Sequence, residues 1–264
     1  MSGTSPVSSA GASAAPAAPL AFDDAFALAA PIEGWLSKPQ ARRLWDAARQ
    51  VPAGGVVLEI GSFRGRSAIV LASALVDGAR MIAIDPHAGS DRGPQEIAAD
   101  ANRGEADTRA FAANLRGAGV EGRVEHLRLM SSDAHTAVDG DIDLLYVDGA
   151  HRLGPARDDL VRWGGRVREG GAMLVHDSFS SIGVTLATLT SLTFGTRWRY
   201  VGRTSSLAEY RRERLSGSAR LANAGRQLAQ LPWFIRNVLV KVAILTRLRP
   251  LRRLLGHRDD AWPY

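Results

Sequence analysis

The stretch Val56-Val57-Leu58-Glu59-Ile60-Gly61-Ser62-Phe63-Arg64-Gly65-Arg66-Ser67 decides the fold. It runs from a short apolar, β-branched segment, which reads as a buried strand, through two glycines into the start of a helix. Glycines at such a turn let the chain reverse sharply and let a ligand approach the backbone. The first turn of the helix offers free N–H groups. In an open α/β sheet, the crevice beyond the strand ends is where ligands bind. An acidic residue, Asp85, closes the next apolar run, Met81–Ile84, twenty positions after Gly65. A ribose hydroxyl pair is held at such a position. Dinucleotide sites use the spacing G-x-G-x-x-G, and here Phe63 stands where a glycine would admit a pyrophosphate. The pattern therefore favours a ligand without one.

Outward from this stretch, strands and helices alternate. Further strands are expected at Val124–Leu129, Ile142–Val147 and Ala172–Val175, with helices over Ser37–Gln50, Ser67–Leu75, residues 94–118, Pro155–Val167 and Ile182–Leu192. Trp198–Val201 and Leu207–Tyr210 flank Gly202–Ser206 and read as an antiparallel hairpin. The rhythm predicts an α/β fold: a doubly wound, mostly parallel seven-stranded sheet with a C-terminal antiparallel hairpin and a helical basic tail. Three segments follow: a Ser/Ala/Pro-rich leader over 1–20, expected to be disordered, a catalytic domain over 21–212, and a tail over 213–264.

The chain has no cysteine, which removes disulfides, thiolate nucleophiles and Cys-based metal sites. Its formal charge of +6 is uneven. From Arg203 onward there are 13 Lys/Arg and 4 Asp/Glu, a local charge of +9, against −3 for the remainder. In the tail, Phe234, Ile235, Val238, Leu239, Val242 and Leu245 share one helical face, and Arg236, Asn237, Lys241 and Arg247 the other. A basic cluster follows at Arg247, Arg249, Arg252 and Arg253. Such a helix suits an anionic membrane surface, its own domain or a second copy in a homo-oligomer. With no secretory signal and no long uninterrupted apolar run in sight, the expected location is cytoplasmic, with a peripheral position at the inner face of the membrane as the variant the tail raises. No aromatic-interleaved basic groove appears, so no nucleic-acid partner is expected.

Glu59-x-Gly61-x-x-x-Gly65 resembles motif I of class I S-adenosylmethionine-dependent methyltransferases. The wider spelling is Tyr146-Val-Asp148-Gly-Ala-His151, then Asp159-Leu, then Gly170-Gly-Ala-Met-Leu-Val-His176-Asp177. It is similar to the branch that holds macrolide-sugar O-methyltransferases and cephalosporin-hydroxylase-like proteins. The resemblance implies that Glu59, Gly61, Ser62, Gly65 and Ser67 cradle the methionine part of the cofactor. Asp85 would hold the ribose, and Ser132 or Asp133 would meet the adenine.

Adjacent parallel strands bring Asp148 and His176-Asp177 to one edge of the sheet. There Asp148, His176 and Asp177 are expected to hold a divalent cation such as Mg²⁺, and His151, assisted by Asp148, to act as base. The chemistry asks for such a device. A sulfonium methyl is already activated, so the protein's task is to supply and align a nucleophile. A bound metal lowers the pKa of coordinated water from about 15.7 to about 7, and an alcohol responds similarly. A histidine then takes the proton. The resemblance to that branch implies that the acceptor is a hydroxyl of a sugar, glycan or glycosylated small molecule. Three alternatives remain open: metal-independent transfer with His151 as base, a non-catalytic membrane-associated protein that retains the fold, and an oxidoreductase, since the related branch has members named hydroxylases. His87, His126, His135 and His257 are left as surface or local structure.

Overall fold

The computed structural model describes residues 18–92, 95–96 and 98–257. Most of the leader expected at 1–20 therefore lies outside the described residues.

Seven strands form one sheet: β1 (Val56–Ile60), β2 (Arg80–Ile84), β3 (Val124–Leu127), β4 (Ile142–Val147), β5 (Val167–Val175), β6 (Trp198–Thr204) and β7 (Leu207–Arg212). Their order is β3-β2-β1-β4-β5-β7-β6. The first five run parallel, and β7 pairs antiparallel with both β5 and β6. This is the expected doubly wound sheet with its hairpin. Chain order reverses direction at β1, so the crevice beyond β1 and β4 is the topological switch point. All five residues of β1 are buried, as a central parallel strand requires.

Helices α1 (Phe22–Ala29), α2 (Lys38–Ala48), α3 (Arg66–Ala74) and α4 (Ala101–Gly117) precede β3 in the chain. α1 to α3 cover one face through Leu44, Ile69, Leu71 and Leu75. α5 (Leu153–Asp158) and α6 (Ile182–Thr188) each run on into one wider turn, Asp159–Trp163 and Leu189–Thr193, and cover the opposite face around Leu145, Trp163, Met173 and Phe179. Ser37 caps α2 in a reciprocal arrangement: the Gln40 side chain accepts from the Ser37 backbone N–H at 2.9 Å, and Pro39 lies in the first turn.

Several boundaries differ from expectation: the helix expected over 94–118 spans Ala101–Gly117, and the strand expected to reach Leu129 ends at Leu127. The helix predicted to reach Val167 stops sooner, and β5 begins at Val167 instead of Ala172. Gly170, at φ +76°, lets the chain bulge there: Ile142 pairs with Val167, and then Leu144 with Ala172.

The tail continues as α7 (Gly217–Leu228), α8 (Leu231–Leu245) and α9 (Arg249–Leu254). It docks on its own domain through buried polar groups. The Asn223 carbonyl accepts from the Tyr200 backbone N–H at 2.7 Å, and Thr193 donates to Gln227 at 3.0 Å. Asn237 donates to the Phe179 carbonyl at 3.3 Å, while Arg203 stacks over Trp233 at 3.7 Å. Within Gly217–Leu245 an 18-residue window reaches a mean hydropathy of 1.4 and, by length and composition alone, the stretch could span a bilayer. These buried Asn and Gln contacts instead hold one side of it against the sheet domain.

Candidate active site at the strand ends

The loop after β1 is built by its glycines. Gly61 has φ +84°, and a Cβ added there would sit 2.2 Å from the Asp148 carbonyl oxygen, so only glycine fits. Gly65, at φ +88°, starts α3. Asp85 reaches back to this loop from the end of β2. One of its carboxylate oxygens accepts from the backbone N–H groups of Ser62 and Phe63 at 2.9 and 2.8 Å, and the other from His87 at 2.7 Å. Asp85 is buried, and in this conformation it orders the loop through those three N–H groups.

Glu59 is fully buried and accepts from the Ser67 hydroxyl through Oε1. Burial pushes its carboxyl up to about 8 against the opposing Ser67 hydrogen bond, with Asp148 and Asp85 adding to the rise. Its Oε2 and the Ser62 hydroxyl are buried without a hydrogen-bond partner. Orphaned acceptors beside a Cβ-free turn are what a ligand with an ammonium group would satisfy. The donors present thus fit the methionine end of S-adenosylmethionine.

Beyond β4 and β5, Asp148, His151 and Asp177 each bring one potential ligand atom within 4.8 Å of the others. His151 Nε2 lies 2.7 Å from Asp177 Oδ2. Tyr146, near the C-terminal end of β4, donates to Asp148 Oδ2 at 2.8 Å and helps to fix that carboxylate. The predicted cation set shares Asp148 and Asp177 with this cluster, but the third member the structure brings in is His151. His176 sits behind the carboxylates, 3% exposed, with Nδ1 3.1 Å from Asp148 and 3.7 Å from Asp177. Burial alone would lower its basicity, but the two carboxylates overcome that and raise it well above an ordinary imidazole. Asp177 is held low: burial works against its charge, and His176 and His151 more than compensate. His151 is raised too: burial works against its charge, and the hydrogen bond to Asp177 together with the charges of Asp177 and Asp148 more than compensates.

A cleft of about 570 Å³ opens beside this cluster. His151, Asp177, Ser180 and Ile182 form one side, and Val238, Lys241, Val242 and Leu245 of α8 the other. Gly183 makes the close approach possible, since a Cβ there would stand 2.1 Å from the His151 carbonyl oxygen. Ser132 and Asp133, proposed for the adenine, are exposed; their side chains hydrogen-bond to each other at 3.1 Å.

Four contributors escaped the sequence reading. His87 is buried, not superficial, and its Nε2 lies 2.7 Å from the Phe63 carbonyl oxygen, holding the β1 loop from a second side. Its place two residues after Asp85 was the available signal. Gln40, from α2, meets His176 Nε2 at 3.3 Å and donates to Ser206 at 3.1 Å. Tyr146 and Lys241 complete the list; Lys241 donates to the carbonyl and hydroxyl oxygens of Ser180 at 3.0 and 3.2 Å. Nothing local in the sequence ties Gln40 or Lys241 to the strand ends.

Comparison with known proteins agrees with this construction. Residues 58–178 match a family described as a methyltransferase domain. Among solved structures, the O-methyltransferase NovP superposes with a TM-score of 0.55 at 17% identity, over 67% of this chain and 81% of NovP. An O-methyltransferase from Bacillus cereus in complex with SAH gives 0.52 at 15% identity, over 72% and 90% of the two chains. TomG from Streptomyces achromogenes, an O-methyltransferase of tomaymycin synthesis in complex with SAM, gives 0.50 at 20%, over 74% and 89%. Residues 58–178 thus resemble a methyltransferase domain, and the strand order and glycine turn give the chain the fold of these solved structures. An additional C-terminal helical segment is folded against that sheet domain.

Proposed function

We propose that the protein transfers a methyl group from S-adenosylmethionine to a hydroxyl, and that the acceptor is a sugar, a glycan or a glycosylated small molecule. The observation that carries this reading is the convergence of Asp148, His151 and Asp177 on an open cleft next to the glycine turn. The cofactor supplies an activated methyl. The chain must position a hydroxyl in line with it and remove a proton. Glu59, Gly61, Ser62, Gly65 and Ser67 form the methionine side of the cradle. Asp85 shapes that cradle through the backbone of Ser62 and Phe63.

Asp148, His151 and Asp177 are the residues that would hold a divalent cation, and two carboxylates with one imidazole suit Mg²⁺ or Mn²⁺. A cation there would lower the pKa of a hydroxyl beside it. A second reading rests on a specific contact. With Nε2–H donated to Asp177 at 2.7 Å, His151 keeps Nδ1 as a lone-pair base, oriented as a catalytic imidazole is by its carboxylate. His176 already places a buried imidazolium against both carboxylates, which is the charge a cation would otherwise provide. Chelation separates the two: loss of transfer supports the cation, and unimpaired transfer supports His151 alone.

The test of the whole reading uses labelled S-adenosylmethionine, Mg²⁺ and a cell extract, followed by identification of the methylated product. Asp148→Ala is expected to abolish transfer while calorimetry still detects cofactor binding. No cofactor binding by the unaltered protein would overturn the assignment, and full transfer by Asp148→Ala would remove the carboxylate cluster from the mechanism.

A further inference from the structure

The tail helix α8 is mounted inside out. An amphipathic helix that packs on its own domain buries its apolar stripe. Here the docked side carries Asn237, Val240 and Ala243, all buried, while Ile235, Leu239, Val242 and Leu245 are 41–65% exposed. Those four positions recur at helical spacing and form one outward stripe. Domain packing does not account for them, because the domain is already satisfied through Asn237 and Lys241.

The stripe runs into the cleft. Val242 and Leu245 belong to both, and across the cleft Ile182 is 58% exposed with Leu186, one turn along α6, 41% exposed. Apolar side chains from α6 and α8 therefore stand on both sides of the cavity that holds His151 and Asp177, with Arg152, Ser181 and Lys241 also in its lining. Beyond the stripe, Arg247 and Arg253 are exposed, and Leu254, next to Arg253 at the end of α9, is 83% exposed. From Arg203 onward the sequence carries a charge of +9.

We infer that α8 and the cleft mouth lie on an anionic lipid surface, and that the acceptor is an amphiphile whose hydroxyl-bearing head enters the cleft while its apolar chain stays with the lipid. The acceptor half of this inference rests on the methyl-transfer reading above; the docking half does not. Charge decides between occupants of the stripe. A second copy packed on the same stripe would bring two strongly basic tails together, and like charges across an interface are costly. An anionic bilayer instead supplies an apolar layer for the stripe and opposite charge for the arginines. A water-soluble sugar would leave Ile182, Val242, Leu245 and the stripe facing water in the working complex.

The experiment is flotation of the full chain with vesicles of phosphatidylglycerol in phosphatidylcholine, compared with phosphatidylcholine alone, at low and high salt. Binding is expected to need the anionic lipid and to weaken with salt. The variant Ile235→Glu/Leu239→Glu changes two stripe residues outside the cleft lining. It is expected to lose at least about tenfold in vesicle affinity, with unchanged melting temperature and unchanged cofactor affinity. Arg247→Glu/Arg253→Glu is expected to lose the preference for anionic lipid. No flotation, or equal flotation of the Ile235/Leu239 variant, overturns the inference. So does a dimer in sedimentation that this variant disperses, which assigns the stripe to a second copy. The two proposals fail separately. Flotation without any cofactor binding sinks methyl transfer and leaves docking standing. Transfer to a soluble sugar without flotation does the reverse.

Discussion

The cofactor turn and the acceptor cleft are adjacent, yet they are built on opposite plans. The turn is local: Glu59, Gly61, Ser62, Gly65 and Ser67 fall within nine residues, and its long-range supports, Asp85 and His87, sit at the end of the neighbouring strand. The cleft is assembled from the ends of β4 and β5, the start of α6 and a helix more than fifty residues further on. A local site made of backbone turns tolerates little change. A site walled by a docked helix can be altered on one side without touching the other, and several substitutions test whether that separation is real.

The largest effect is expected at Gly61. In Gly61→Ala the new Cβ would fall 2.2 Å from the Asp148 carbonyl oxygen, at a φ of +84° that alanine adopts only under strain. Because the obstruction is backbone, it cannot swing away. A destabilisation of about 2–4 kcal/mol is expected, with cofactor affinity lowered by about a hundredfold or more. Calorimetry and thermal melts measure both; near-normal cofactor binding would show that the turn is not the cradle.

Next comes His151→Gln, on the cleft side. Removal of the imidazole that pairs with Asp177 is expected to lower kcat by about 10²–10⁴-fold, with cofactor affinity unchanged. If cofactor binding falls in parallel, the two regions are coupled and the comparison breaks.

Glu59 gives a pH signature to the cofactor side alone. Its carboxyl, raised to about 8 by burial, keeps its proton at neutral pH in the free protein. A cationic ammonium beside Oε2 favours the carboxylate. Binding should therefore release a proton below about pH 8, and affinity should rise by up to about tenfold per pH unit on the acid side of that value, levelling off above it. Glu59→Gln should abolish the proton release. The same raised value works against the folded, free protein. A group held protonated on folding contributes most below its ordinary value of 4.5, and that contribution is lost as pH climbs towards about 8. Melts of the free protein and of Glu59→Gln across this range check the sign.

The difference in plan also explains what could be read in advance. The sheet, the glycine turn, Asp85 and the edge that unites Asp148 with Asp177 follow from periodicity and from strand adjacency. These are properties of short segments, and a parallel βαβ rhythm fixes which strand ends meet. The roles within the edge were less legible. His151 and His176 are both near Asp177 in space, but the sequence does not reveal that His176, at the end of a buried strand, turns into the domain toward Gln40. Nor does it show that the four residues after β4, Asp148 to His151, bring His151 back over Asp177. The tail was only partly legible for a physical reason. Helical periodicity identifies an apolar face but not what it meets, and α8 docks on the domain by Asn237, Val240 and Ala243. Hydrogen bonds from Asn237 and Lys241 to the carbonyls of Phe179 and Ser180 hold it, beside Asp177 and Phe179 at φ +55° and +58°.

That docking supplies a smaller prediction. Asn237→Leu removes the donor to the buried Phe179 carbonyl, and a cost of about 1–2 kcal/mol is expected. Because α8 walls only the cleft, KM for the acceptor should rise while cofactor affinity holds. Steady-state kinetics with varied acceptor and fixed cofactor separates the two.

The smallest effect is expected at Ser132. The adenine role suggested by its place after β3 requires its side chain, or that of Asp133, to face the crevice. In the structure both are exposed, and Ser132 donates to Asp133 at 3.1 Å. Meanwhile Trp163 donates to the Ser131 carbonyl at 3.2 Å and holds the start of that loop to the helix layer. A surface hydroxyl bonded to its neighbour contributes little, so Ser132→Ala should change stability by no more than about 0.5 kcal/mol. Cofactor affinity should stay within about twofold, since no contact to the crevice is lost. A drop of tenfold or more would mean that residues 131–133 close over the adenine when it binds. The cofactor side would then be only partly preformed, and the contrast between a rigid turn and an assembled cleft would have to be redrawn around that loop.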